Sequence, residues 1–197
     1  VKRGALICGL AALPVGWMLA AGELGMIGHM AGHMIAVAVA APLVAWGLSG
    51  GRIDSAARWP GIVAPMPMML VELATVWLWH LPALRAAAHG SPIVLAAEQL
   101  CFLIAGWLLW ASVFHAPQRM AGIGALLLTS MHMTLLGVLI GLAPRPLYPD
   151  MHHAGLAPLI DQQLGGVVML LVGAASYFIG GLVLLAALLR QKGGAAA

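Results

Sequence analysis

The runs of sequence between charged residues constrain this chain most. Six apolar stretches, near 4–21, 26–48, 62–81, 92–114, 120–142 and 163–189, are interrupted only by Glu72 and Glu98. Each has the roughly 20 residues that a helix needs to cross the hydrocarbon of a bilayer. Lipid offers no partner for backbone N–H and C=O groups, so a spanning segment must satisfy its own, as a helix does. The expectation is an all-α integral membrane protein, a bundle of about six transmembrane helices forming a single domain over 1–197. With 62% hydrophobic and 8% charged residues, against roughly 25% charged in a soluble domain, a water-soluble globule is excluded. A disordered chain, which needs low hydrophobicity and high charge, is excluded too. Nine basic residues against six acidic ones leave a net charge of +3, too scattered for a groove that tracks phosphates, so nucleic acid is not a partner. Cys8 and Cys101 lie in separate apolar stretches without CxxC spacing, which argues against a disulfide framework or a thiolate zinc site.

Basic residues orient the bundle. With an even number of spans, Lys2, Arg3, Arg52, Arg58, Arg119, Arg190 and Lys192 gather on one face, and Arg85 and Arg145 on the other. Positive charge stays inside, so both termini are expected in the cytoplasm. Lys2 and Arg3, an apolar run and the small Ala20, Ala21 and Gly22 also fit a secretory signal peptide. The outer face then carries the turn at Glu23, a loop from Leu81 to Ser91, and the connection from Ala143 to Gln162, which is rich in turn residues. The C-terminal Gly-Gly-Ala-Ala-Ala reads as a frayed tail.

Histidine and methionine are abundant for so apolar a chain, at eight and twelve. His29, His33, His80, His89, His152 and His153 map to the outer face or its half of the membrane, His132 near the middle, and His115 to an inner loop as a solvated residue. In the second span Met26, His29, Met30, His33 and Met34 follow i, i+3, i+4, i+7, i+8 spacing and share one helix face. His33 lies about 10 Å below Met26 along the axis. Glu98, Cys101, Glu72 and His132 reach roughly similar depths, about 9 to 15 Å, in their own spans. Ionisable groups there need a partner or a wet cavity. Glu72 with His132 is either a buried pair that fixes packing or the start of a relay, and Cys101 is an apolar filler. Met66, Met68 and Met69 fill space at the inner end of the third span.

Two imidazoles four residues apart on one helix face match the way HExxH helices present a metal pair, but without the central Glu no protease is implied. Gly28 and Gly32 form a small-xxx-small pattern that admits a close neighbouring helix. Imidazole with thioether suits copper, Cu(I) more than Cu(II), and not Mg or Ca. The candidate ligands on this reading are His29, His33, Met26 and Met30, with His132 deeper.

In chain order, His29-x-x-x-His33, Trp79-His80-Leu81-Pro82, Glu98, Ala143-Pro144-Arg145-Pro146-Leu147-Tyr148-Pro149, and Asp161-Gln162-Gln163-Leu164-Gly165-Gly166 with Met169 resemble the CtaG family of multi-span cytochrome c oxidase assembly factors. The resemblance spans about 26–189. It implies a multi-pass protein of the bacterial plasma (inner) membrane that serves maturation of a haem-copper oxidase, plausible in copper delivery or insertion. It implies no catalysis of its own, and partners in the lipid bilayer, an oxidase subunit and a periplasmic copper chaperone. It adds His80, Glu98 and Asp161 to the candidate metal positions, and it has Glu-His where this chain has Glu98-Gln99. From the residues alone, Asp161 fits equally the N-cap of the last helix, and His80 either sits beside Trp79 in an interfacial aromatic belt or swings over His29. Two other functions remain open. One is a membrane cytochrome with bis-His haem, for which His33 and His132 on different helices are the pair. The other is a copper or proton transporter using Glu72 and His132.

Overall fold

Five helices are long and apolar enough to cross a membrane, and a bent pair makes a sixth. The computed structural model describes residues 1–117, 119–151 and 155–194, with side chains followed through Arg190. The elements are α1 (Lys2–Ala21), α2 (Gly25–Leu48), the short α3 (Ser55–Arg58), α4 (Pro65–Trp79), α5 (Pro82–Gly90), α6 (Pro92–His115), α7 (Arg119–Gly141) and α8, which starts at Pro158 and ends at Gly194, its membrane span being Pro158–Arg190. Among the described residues there is no strand. His152, His153 and the last three residues of the expected tail lie outside the described residues; Gly193 and Gly194, read as frayed, continue the last helix.

Helix packing runs α2–α6–α4–α7–α8 and back to α2, a closed ring of five, with α1 lying outside against α2. Large apolar side chains such as Leu100, Ile104, Leu135, Leu139 and Leu171 cover the outer surface, as lipid-facing positions require. The close approach expected at Gly28 and Gly32 is present. A Cβ on Gly32 would lie 2.4 Å from the Gly16 carbonyl of α1, and one on Gly28 would lie 2.5 Å from the Leu19 carbonyl. Between these helices Gly25 takes φ +57°, a left-handed conformation that a side chain would strain.

The third span departs from expectation. In place of one helix over 62–81 and a loop to Ser91, α4 ends at Trp79 and α5 sets off from it at a bend of 71°. Leu81 is extended, at φ −63° and ψ 134°, ahead of Pro82 at the first position of α5. A residue before proline avoids the helical region, and proline lacks the N–H that would continue the ladder. The Leu81–Ser91 segment is thus largely helical, and it buries Arg85 and Ala88 on one face.

Two helices widen where they meet. Ile35–Ala40 of α2 and Met169–Ala174 of α8 are π-helical. Hydroxyls take the carbonyls of these widened turns: Tyr177 donates to Val37 O at 3.2 Å, Ser176 to Ala38 O at 3.1 Å, and Ser130 to Ala174 O at 2.9 Å. At the opposite end of the bundle His115 is no free loop residue. It closes α6, and its Nε2 lies 2.8 Å from Asp54 Oδ2.

Candidate functional site

The α2 stripe faces the interior of the ring: Met26, His29, Met30 and His33 are 0% exposed. His80, at the C-terminal end of α4 where the chain turns into α5, swings over this stripe. Its ring centroid lies 5.2 Å from that of His29 and 5.2 Å from that of His33. His29 and His33 stack almost parallel at 6.3 Å, and Phe102 of α6 closes one side at 4.0 Å from His33. His80 Nδ1 donates to the Val76 carbonyl at 2.7 Å, leaving Nε2 without a partner. His29 Nε2 and both nitrogens of His33 are likewise buried and unbonded. Unpaired buried polar atoms are costly in a dry interior, and four of them gather here, on His29, His33 and His80.

Beside this cluster lies a charge pair that spans α5 and α6. Arg85 is 1% exposed and Glu98 fully buried, and the guanidinium Nη1 bonds to both carboxylate oxygens. The same Nη1 lies 2.8 Å from His29 Nδ1, and Nε donates to Met151 Sδ at 3.3 Å. Sequence reasoning counted Arg85 only as an outer-face charge. A signal was present: Glu98 inside a span demands a counterion, and Arg85 is the basic residue nearest to it along the chain.

The 147–151 stretch is fastened down beside the cluster. Tyr148 donates its hydroxyl to the His80 carbonyl at 2.6 Å. Burial pushes its phenol up to about 12, against a smaller opposing pull from Arg85, so the donor proton stays in place. Gln162 accepts from Leu147 N at 2.6 Å and donates to the Ile140 carbonyl at 3.0 Å. Asp161 caps a helix, though not its own. Ala157 and Pro158 begin α8, and the Asp161 carboxylate crosses to α2, accepting from Met26 N at 2.6 Å and Ile27 N at 3.3 Å. Gly165 allows this approach, since a Cβ there would touch Met26 at 3.2 Å. Gln99 lines a small apolar cavity against α1 with Leu13 and Trp17.

One layer deeper, the expected Glu72–His132 pair is not formed. Glu72 meets the Tyr177 hydroxyl, whose single proton is shared with the Val37 carbonyl, and both nitrogens of His132 are unbonded. Tyr177 on α8 and Glu72 on α4 lie across the ring from each other, a pairing that sequence separation hides. Cys101 is half-buried and free.

The donor set fits a soft or borderline cation. Two imidazoles sharing an ion at metal–nitrogen bonds of about 2 Å hold their centroids roughly 5 to 6 Å apart, and the three histidine pairs lie at 5.2, 5.2 and 6.3 Å. Among the described residues no three of His, Cys, Asp and Glu are placed to hold a metal ion together.

Ring and cluster together define a multi-pass helical membrane protein with a polar, imidazole-lined centre near one end. Residues 4–191 match the family model described as cytochrome c oxidase caa3 assembly factor (Caa3_CtaG), and the chain belongs to that family. Its role is accordingly in oxidase assembly, in contact with the oxidase and with membrane lipid. No curated protein and no solved structure matched the chain.

Proposed function

We propose that this assembly factor binds copper, Cu(I) in preference to Cu(II), at the His29–His33–His80 cluster and hands it to a haem-copper oxidase subunit docked alongside. The observation that carries this reading is the set of buried imidazole nitrogens without partners, one of them on a ring whose other nitrogen donates to a backbone carbonyl. That second contact is the usual support of a metal-binding histidine, because it fixes ring orientation and leaves Nε2 bare. Copper is cargo here and not a resident cofactor. Few and rearrangeable nitrogen ligands, with the Met26 and Met30 thioethers on the same stripe, hold a soft ion firmly enough to carry and loosely enough to release.

On this reading Glu98 acts through His29, Asp161 acts by holding the start of α2 in register, and His132 offers nitrogen one layer deeper. The asymmetry of basic residues supports a cluster at the periplasmic face of a bacterial inner membrane, with both termini cytoplasmic. There a periplasmic copper chaperone is the natural donor. Bis-His haem fits poorly, since the His33 ring is already packed at 4.0 Å on Phe102 and 5.2 Å on His80 and leaves no slot for a macrocycle. A transport path is not favoured, because the sequence of the inner half-spans is nearly all apolar.

The test is Cu(I) loading of the full chain in detergent. The wild-type protein is expected to retain copper against a competing chelator, and the His29→Ala/His33→Ala variant to lose it. Equal stoichiometry and affinity in both proteins would reject the assignment.

A further inference from the structure

Arginine carries N–H groups on every guanidinium nitrogen and no accessible lone pair. With Arg85 Nη1 at 2.8 Å from His29 Nδ1, a hydrogen on Nδ1 would point at a nitrogen that has no lone pair to accept it. Nδ1 is therefore bare, and the single proton of the neutral ring sits on Nε2, which is buried and without a partner. A protonated nitrogen has no lone pair to give a cation. His80 is in the opposite state, since the Val76 carbonyl can only accept and so keeps the proton on Nδ1.

Glu98 Oε2 lies 3.6 Å from His29 Nδ1, just beyond hydrogen-bond reach. Should the guanidinium leave, this carboxylate becomes the acceptor nearest Nδ1. A proton on Nδ1 would then be donated to it and Nε2 would be bare, the carboxylate–histidine arrangement that supports metal binding. The count of protons is unchanged: one leaves Nε2 and one is taken up at Nδ1. Arg85 rides on the nine-residue α5, joined to α4 through Leu81-Pro82 at the 71° bend. A cavity of about 360 Å³, lined by Pro82, Ala86, His89, Tyr148 and Met151 among others, lies between α5 and the 147–151 stretch.

We propose that Arg85 is a positioning residue that sets the tautomer of His29: seated on Glu98 it holds His29 as Nε2–H and withholds it from copper, and its withdrawal with α5 gives Glu98 to His29 and completes a three-nitrogen site. The second half rests on the copper reading above, whereas the first half is a property of the metal-free protein. Loading and release are thereby linked to one short helix at the surface where a partner would dock.

Full-length protein labelled with ¹⁵N-histidine, metal-free in detergent near neutral pH, reports the tautomers directly, with His29 assigned by a His29→Gln spectrum. Wild-type protein is expected to show Nε2–H at His29 and Nδ1–H at His80. Arg85→Met is expected to move the His29 proton to Nδ1 and to tighten Cu(I) binding by about tenfold or more, the scale of change set by indirect partners of metal-binding histidines. Arg85→Lys, still a donor without an acceptor, is expected to retain the wild-type tautomer. Nδ1–H at His29 in the wild type, an unchanged tautomer in Arg85→Met, or tighter binding without the proton shift would each overturn the proposal. If Arg85→Met does not fold with Glu98 unpaired, Arg85→Met/Glu98→Met replaces the buried pair by apolar side chains; it is expected to lose the fixed Nε2–H state, and keeping that state overturns the proposal. Copper bound by no variant would overturn the copper reading and the withholding with it, while the tautomer spectra alone still decide what Arg85 does to His29.

Discussion

At the scale of single residues, the site depends on groups that never point at the cluster. Tyr148 holds the His80 carbonyl, the one point where the α4–α5 corner is tied to the long connection by a side-chain hydroxyl among the described residues. Tyr148→Phe removes that bond and leaves a buried carbonyl unpaired. We expect it to lower stability by about 1 to 2 kcal/mol, read as a fall in Tm in detergent, and to weaken copper retention at His80 without abolishing it. An unchanged Tm and retention would show that the corner is held by packing alone. The pH dependence has a definite sign. The phenol is raised from about 10 in the unfolded chain to about 12 in the fold, so its contribution is complete below the first value and is lost as pH rises through the second. Arg85, by contrast, was in plain view as a charge, but its burial was not. A basic residue three positions after a proline, in a segment rich in alanine, looks solvated until the chain is seen to bend over Glu98.

Among elements, glycine decides how close helices come. Gly32 lies against the Gly16 carbonyl at a distance no side chain allows, so Gly32→Leu must push α1 away from α2. A loss of about 2 kcal/mol or more is expected from such overpacking, together with altered cross-linking between cysteines placed on the two helices. Gly124 of α7 supplies the control. Nothing lies within 4 Å of a Cβ there, and Gly124→Ala is expected to be neutral or to stabilise by about 0.5 to 1 kcal/mol through helix propensity. Similar damage from both substitutions would refute the close-packed reading of α1. The small-xxx-small pattern was legible because it follows helical period. The π-helical turns were not, since nothing in Ile35–Ala40 or Met169–Ala174 distinguishes them from ordinary apolar helix; hydroxyls from other helices occupy their carbonyls.

Over the whole molecule, the two ends of the bundle are held by separate devices. The histidine cluster lies at the end where α2 and α8 begin. Asp54 organises the other, accepting from Gly50 N at 2.6 Å and Ala57 N at 3.2 Å while pairing with His115. Asp54→Ala should therefore cost about 1 to 2 kcal/mol as a lost cap and leave copper stoichiometry at its wild-type value. A parallel loss of copper would mean that the ends are coupled through the ring, for which the Glu72–Tyr177 contact between α4 and α8 is the nearest physical link.

The sequence by itself determined the class of structure, the spans to within a few residues except at the third and at the start of the last, which begins at Pro158 and not near 163, and the inward phase of the α2 stripe. Those follow from local rules, namely the length of uncharged runs, the helical repeat and the insolubility of an unpaired backbone in lipid. Only the tertiary structure decided that Asp161 caps α2 and not α8, that Glu72 meets Tyr177 and not His132, and that Arg85 closes over Glu98 and His29. Each of these is a contact between buried polar groups on different helices. Burial compels such groups to find partners, but which partner is in reach depends on how the helices surround one another, and that arrangement is written in no single segment.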